Sequence, residues 1–201
     1  MLQMCGGMSL RSVNKNGLIS LLGGDKEAER AVELLIKYSK EGVIPKEELD
    51  EELVILFESE KLAFPIKSEK DSLSWGSRFL AVEDLEIPYV IRIIFSEFCG
   101  WREAVEKYFS LIGEKDPKVF VKIVEEVFER RKYSFITGEA LTEISLKYGK
   151  EPGAVIAELK GAGVISPFAG CGRSLSKLAK LIGFPIYEIN RFLLKMYEKS
   201  L

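Results

Sequence analysis

The sequence contains no histidine, and this absence restricts the chemistry open to the chain. Without imidazole there can be no Ser–His or Cys–His nucleophile pair and no histidine ligand for a metal. The three cysteines, Cys5, Cys99 and Cys171, are far apart and form neither a metal-binding spacing nor an even disulfide framework. No phosphate-loop motif is present. The sequence therefore predicts a protein that is not an enzyme, uses no cofactor and occupies a reducing compartment.

Amide side chains and long apolar runs are also scarce. The only glutamine is Gln3, whereas lysine and glutamate are abundant, a bias typical of hyperthermophile proteins. No apolar run reaches the roughly 18–20 residues of a membrane helix, and residues 1–7 lack the basic and apolar regions of a signal peptide. With 201 residues, 47% of them apolar, we expect a cytoplasmic globular protein with no membrane segment, from a heat-loving source.

Charge is distributed unevenly along the chain. Residues 1–130 carry 18 Lys and Arg against 25 Asp and Glu, which is a net −7. Residues 131–201 carry 11 against 6, which is a net +5. Such asymmetry is typical of chains with one segment facing nucleic acid, although a solvated helix face would look the same.

The apolar periodicity predicts a mainly α-helical chain with short β-hairpins. Helices are expected from Asp25 to Lys40 and, opened by Pro45, from Lys46 to Glu58. Strand-like runs follow at 61–66, where Pro65 favours a sheet edge, and at 73–82, joined by a turn at 68–71. The expected divisions are a loop-rich N-terminus with a short strand at 17–22 (1–24), a first helix-and-hairpin unit (25–85), a bridge of very apolar helices (86–116) and a C-terminal unit (117–201).

One pattern occurs twice in the C-terminal unit: a small residue, a turn glycine, a proline at a helix start and apolar positions between them. In the first copy these are Ser145, Gly149 and Pro152, with Val155 and Leu159 apolar. In the second copy, 34 residues downstream, they are Ala179, Gly183 and Pro185, with Ile189 and Leu193 apolar. The pattern resembles the helix-turn-helix and winged-helix superfamily of DNA-binding domains. The resemblance implies tandem winged-helix-like units joined by apolar helices.

Residues 184–190 admit two interpretations. As a helix, they complete the second helix-turn-helix, and Ile189, Phe192, Leu193 and Met196 recur with helical spacing. As a strand, they supply the second strand of a wing, and Tyr187 suits that conformation. The spacing favours the helix, and the strand stays open as the alternative.

The resemblance implies a DNA-binding protein, most simply a transcription regulator using the C-terminal helix-turn-helix segment. Asn and Arg can read bases, and Lys and Arg can contact phosphates. The residues expected to contact DNA are Arg173, Lys177, Lys180, Tyr187, Asn190, Arg191 and Lys195. The alternative is a winged-helix protein-interaction or assembly module without DNA binding, which the acidic N-terminal half favours. The expected partners are double-stranded DNA, a protein bound by the acidic half, and a second copy in a homodimer.

Overall fold

A computed structural model describes residues 13–66, 83–168, 180–181 and 183–200. In these residues the chain is mainly helical, with two small antiparallel sheets, which confirms the predicted fold class. The elements in chain order are α1 (Lys15–Leu21), α2 (Lys26–Tyr38), β1 (Val43–Ile44), α3 (Glu51–Glu60), β2 (Phe64–Pro65), β3 (Leu85–Glu86), α4 (Tyr89–Glu97), α5 (Trp101–Leu111), α6 (Pro117–Glu129), β4 (Phe135–Thr137), α7 (Gly138–Lys147), α8 (Pro152–Ala162), β5 (Ile165–Pro167), β6 (Ile186–Ile189) and α9 (Arg191–Ser200).

The two sheets have the same topology. In the first, β3 lies between β1 and β2, and in the second, β6 lies between β4 and β5. In each sheet a helix precedes the first strand and at least one helix lies between the first and second strands, and α9 follows the last strand of the second sheet. We call α2 to β3 the first unit and α6 to α9 the second unit. Among the described residues, Pro65 lies on a strand at the edge of its sheet, as expected, because proline has no N–H to donate to a second neighbouring strand.

One apolar core extends through both units and through α4 and α5, which lie between them. Phe109 of α5 stacks on Phe120 of α6 with ring centroids 3.9 Å apart, and Phe95 of α4 stacks on Phe192 of α9 at 5.5 Å. Gly163, which ends α8, packs so closely on Pro88 before α4 that an added Cβ would lie 2.4 Å from the proline Cβ. Both units are therefore packed against the same pair of helices.

Two predictions in the first half of the chain are wrong. Residues 15–21 form a helix and not a loop or strand, because the Asn14 side chain accepts a hydrogen bond from Gly17 N and Leu18 is fully buried. The helix predicted from Lys46 to Glu58 is instead a short 3₁₀ turn followed by α3, since Asp50 caps the new helix by accepting from Leu53 N at 3.0 Å. The strand at 73–82 and the turn at 68–71 lie outside the described residues.

The Asp50 cap gives α3 a pH dependence. The backbone N–H of Leu53, and next the guanidinium of Arg30, hold the pKa of the Asp50 carboxyl below its ordinary value of 3.8. A carboxyl with a lowered folded pKa contributes stability above its unfolded pKa and loses it as the pH falls through the folded value.

We therefore expect wild type to be more stable than Asp50→Asn at pH 7, because asparagine caps without a charge. That advantage should shrink as the pH falls below about 4. The measurement is the urea midpoint of both proteins at pH 7 and pH 3. An advantage of equal size at both pH values would contradict this explanation of the cap.

The preferred helical interpretation of residues 184–190 is also wrong, and the strand alternative is correct. Ile186–Ile189 is the central strand of the second sheet, paired with β4 on one side and β5 on the other. The second helix-turn-helix therefore does not form. Gly183 does have a positive φ of 102°, but it precedes a strand, whereas Gly149, with φ 67°, separates α7 from α8 as predicted.

Candidate functional site

The residues expected to contact DNA are found in different environments. Arg173 and Lys177 lie outside the described residues. Lys180 is exposed, and Tyr187 is half-buried in β6. Asn190, Arg191 and Lys195 come together, but at the contact between the second unit and the C-terminal end of α3.

Asn190 is fully buried and is not available to read a base, so its predicted role is wrong. Its Nδ2 donates to the carbonyl oxygen of Lys61 at 2.8 Å and to that of Gly163 at 3.2 Å. Its Oδ1 accepts from Leu193 N at 3.2 Å, which caps α9. Asn190 therefore connects the chain after α3 to the chain after α8.

Arg191 and Lys195 are held by groups around the end of α3. Arg191 donates to the Glu188 carboxylate at 2.9 Å and to the Ser59 carbonyl oxygen at 3.3 Å. Lys195 pairs with Glu60 at 2.7 Å. Their positive charges are partly neutralised within the chain, but the side chains of Arg191 and Lys195 stay 46% and 41% exposed. Their contact with a DNA phosphate stays a prediction.

A buried ion pair completes this contact, which we call the junction (Ser59, Glu60, Lys61, Glu188, Asn190, Arg191 and Lys195). Lys61 and Glu188 lie 3.5 Å apart, with side chains only 9% and 7% exposed. Sequence reasoning missed Lys61, Glu60 and Glu188. The sequence signal for Lys61 is its position directly after a helix, where glycine is usual. In the structure Lys61 has a φ of 62°, the left-handed conformation that favours glycine at this position.

The helices that the winged-helix resemblance would place in a DNA groove are α3 and α8. The exposed face of α3 presents Ile55, which is 50% exposed, between Glu51, Glu52 and Glu58. None of these three carboxylates has an ion pair within the described part of the chain. Helix α3 contains no lysine or arginine.

The most exposed residues of α8 are small and uncharged, and its one cation, Lys160 in the last turn, is partly exposed. Gly153, Ala154 and Ala157 are exposed there. Glu151 caps the helix, and the N–H groups of Gly153 and Ala154 hold the pKa of its carboxyl below the usual range. Burial, and then the neighbouring Glu114 carboxylate, raise the pKa of Glu158 on the same helix. The N-terminus of α8 is thus already occupied by a carboxylate where a DNA phosphate would bind.

Two further findings concern sites of other classes. Within the described residues, no cluster of three or more Cys, Asp or Glu side chains is placed to hold a metal ion. Across the same ranges, no helix combines the length and apolar character needed to cross a lipid bilayer.

Comparison with known proteins places the chain in a family. A family model matches residues 16–200, so the chain belongs to that family. No curated protein and no solved structure matches the chain.

Proposed function

We propose that the chain is a protein-interaction module in which α3 and α8 are two docking surfaces. The observation that carries this proposal is the composition of their exposed faces: carboxylates around an isoleucine on α3, and glycine and alanine on α8. The order of elements in both units supports the winged-helix interpretation. DNA carries a phosphate charge every few ångströms, so the carboxylates of α3, which form no ion pair among the described residues, would repel it. The exposed glycine and alanines of α8 have no side chain that can read a base.

The two faces suit a protein partner. Three carboxylates around Ile55 match a segment that carries basic residues and one apolar side chain, since complementary charge gives specificity and the apolar contact gives affinity. Gly153 and Ala157 lie four residues apart on α8 and let a second backbone approach closely.

A photo-crosslinking amino acid placed at Ile55 and at Ala157 tests the proposal. We expect both positions to crosslink the same partner in cells, and the matched position Glu29, exposed on α2, not to do so. In a protein with the crosslinker at Ala157, the substitutions Glu51→Lys and Glu52→Lys should reduce crosslinking at least severalfold. A partner that contacts both helices would lose its contact with α3 and bind more weakly. Equal labelling at all three positions would contradict the proposal.

Duplex DNA binding is the second candidate function, and one observation favours it. Lys132 and Lys180 are exposed and form no ion pair among the described residues, and both lie in residues 131–201, which carry a net +5. The same purified protein should be titrated with duplex DNA over a range of salt concentrations. Binding that weakens steeply with salt would select this function over the first. The log-log slope of the binding constant against salt concentration should then be about two units shallower for the double variant Lys177→Ala, Lys180→Ala than for wild type.

A further inference from the structure

A strained tyrosine lies in the turn between α6 and β4. Lys132 N donates to the Phe135 carbonyl oxygen at 2.8 Å, and Phe135 N donates back to Lys132 at 3.1 Å, so Tyr133 and Ser134 form a tight two-residue turn. Tyr133 has a φ of 60°, the left-handed conformation in which such turns usually place glycine or asparagine. A large side chain at this position costs free energy in the folded state.

Packing does not explain the tyrosine. The other described non-glycine residues with positive φ are Lys61, whose side chain is in the buried ion pair, and Phe98, which packs on the core. The Tyr133 side chain is 78% exposed and makes no hydrogen bond or ring contact with any described residue. Strained residues that the fold does not need are concentrated at functional sites.

Tyr133 lines an open cleft of about 610 Å³ between the turn and α9. The charged side chains of the cleft are Arg131, Arg191, Lys195 and Glu198, so three cations face one carboxylate. Arg131 donates to the Phe128 carbonyl oxygen and to Glu198, at 2.5 and 2.6 Å. A guanidinium has about five N–H donors and an ammonium about three, so each cation keeps donors beyond those in the ion pairs with Glu198, Glu188 and Glu60.

We propose that this cleft binds a nucleoside phosphate, with the base stacked on Tyr133 and the phosphate held by Arg131, Arg191 and Lys195. An exposed aromatic ring beside cationic side chains is the arrangement that proteins use to hold an unpaired base and its phosphate. The source of the ligand is a free mononucleotide or a single strand. The site is distinct from the exposed faces of α3 and α8, so it does not depend on their partner.

The experiment is isothermal titration calorimetry of the full chain with AMP, adenosine, ribose 5-phosphate and a single-stranded oligodeoxyadenylate. We expect AMP or the oligonucleotide to bind at least about tenfold more tightly than adenosine or ribose 5-phosphate, since each of these lacks one half of the ligand. Binding of AMP identifies a mononucleotide site, and binding of the oligonucleotide alone identifies a single-strand site.

Tyr133→Gly separates a binding role from a structural one. We expect it to weaken binding about tenfold while the melting temperature stays the same or rises, because glycine relieves the positive-φ strain. Tyr133→Phe should keep the affinity, and Tyr89→Ala, which removes a 52% exposed tyrosine elsewhere, should not change it. Wild-type affinity in Tyr133→Gly, a fall of several degrees in its melting temperature, or no binding of any probe at millimolar concentration would each overturn the proposal.

Discussion

Asn190→Ala is expected to lower the free energy of unfolding by roughly 3–7 kcal/mol. The substitution removes both donors to the carbonyl oxygens of Lys61 and Gly163, which lie in a region closed to water. A buried acceptor left without a donor costs about 1–3 kcal/mol. The same change removes the cap of α9, which contributes about 1 kcal/mol.

The measurement is urea unfolding of wild type and variant, with thermal unfolding expected to shift by on the order of 10 °C. Asn14→Ala is the matched control, because Asn14 also caps a helix with its side chain but does so at an exposed position. We expect the control to lose only about 1 kcal/mol. If the two variants lose the same stability, the hydrogen bonds across the junction contribute nothing, and Asn190 is a simple helix cap.

Gly163→Ala is expected to cost on the order of 3 kcal/mol, from two sources that can be separated. Gly163 has a φ of 80°, where alanine is strained by about 1–2 kcal/mol. The new methyl would also lie 2.4 Å from Pro88 Cβ, and a proline ring cannot rotate away. Relief of this clash requires α8 and α4 to move apart, and the loss of packing accounts for the rest of the expected destabilisation.

The control for this substitution is Gly149→Ala. Gly149 has a φ of 67°, but nothing lies within 4 Å of its added Cβ. It should show the backbone strain alone, so the difference between the two variants measures the close packing of α8 against α4. Equal melting temperatures for Gly163→Ala and Gly149→Ala would show that α8 and α4 can move apart at Gly163 without a loss of stability.

Local signals in the sequence predicted most of the helices. Asp25 accepts a hydrogen bond from Ala28 N, and α2 follows it as the cap predicts. Pro117 and Pro152 each begin a helix, because a proline at the first position loses no hydrogen bond there. These signals involve residues only a few positions apart in the chain, so they can be read from a single sequence.

The error at residues 184–190 arose because the helical spacing that belongs to α9 was extended back over β6. Phe192, Leu193 and Met196 lie on the buried side of α9, but Ile189 ends β6, and only Asn190 separates the two elements. Strand β6 forms because it pairs with β4, some 50 residues earlier in the chain, and with β5. Such pairing leaves no local mark in the sequence.

The candidate site was harder to predict than the fold, for the same reason. The sequence identified Asn190, Arg191 and Lys195 as polar residues of the right types, but their partners in the structure are Ser59, Glu60 and Lys61. Those partners lie 129 and 132 residues away for Asn190 and Arg191. A side chain that reads DNA and one that joins two units cannot be distinguished until such distant partners are known.

The hydrogen bonds of Asn190 also affect how a partner would gain affinity. Because they tie the chain after α3 to the chain after α8, a partner that binds one of these helices finds the other already at a set distance and direction. The second contact is then intramolecular, with a high effective concentration and no flexible linker to order. Two weak contacts can in this way give strong binding to a partner of matching span, while a partner of any other span gains from only one of them.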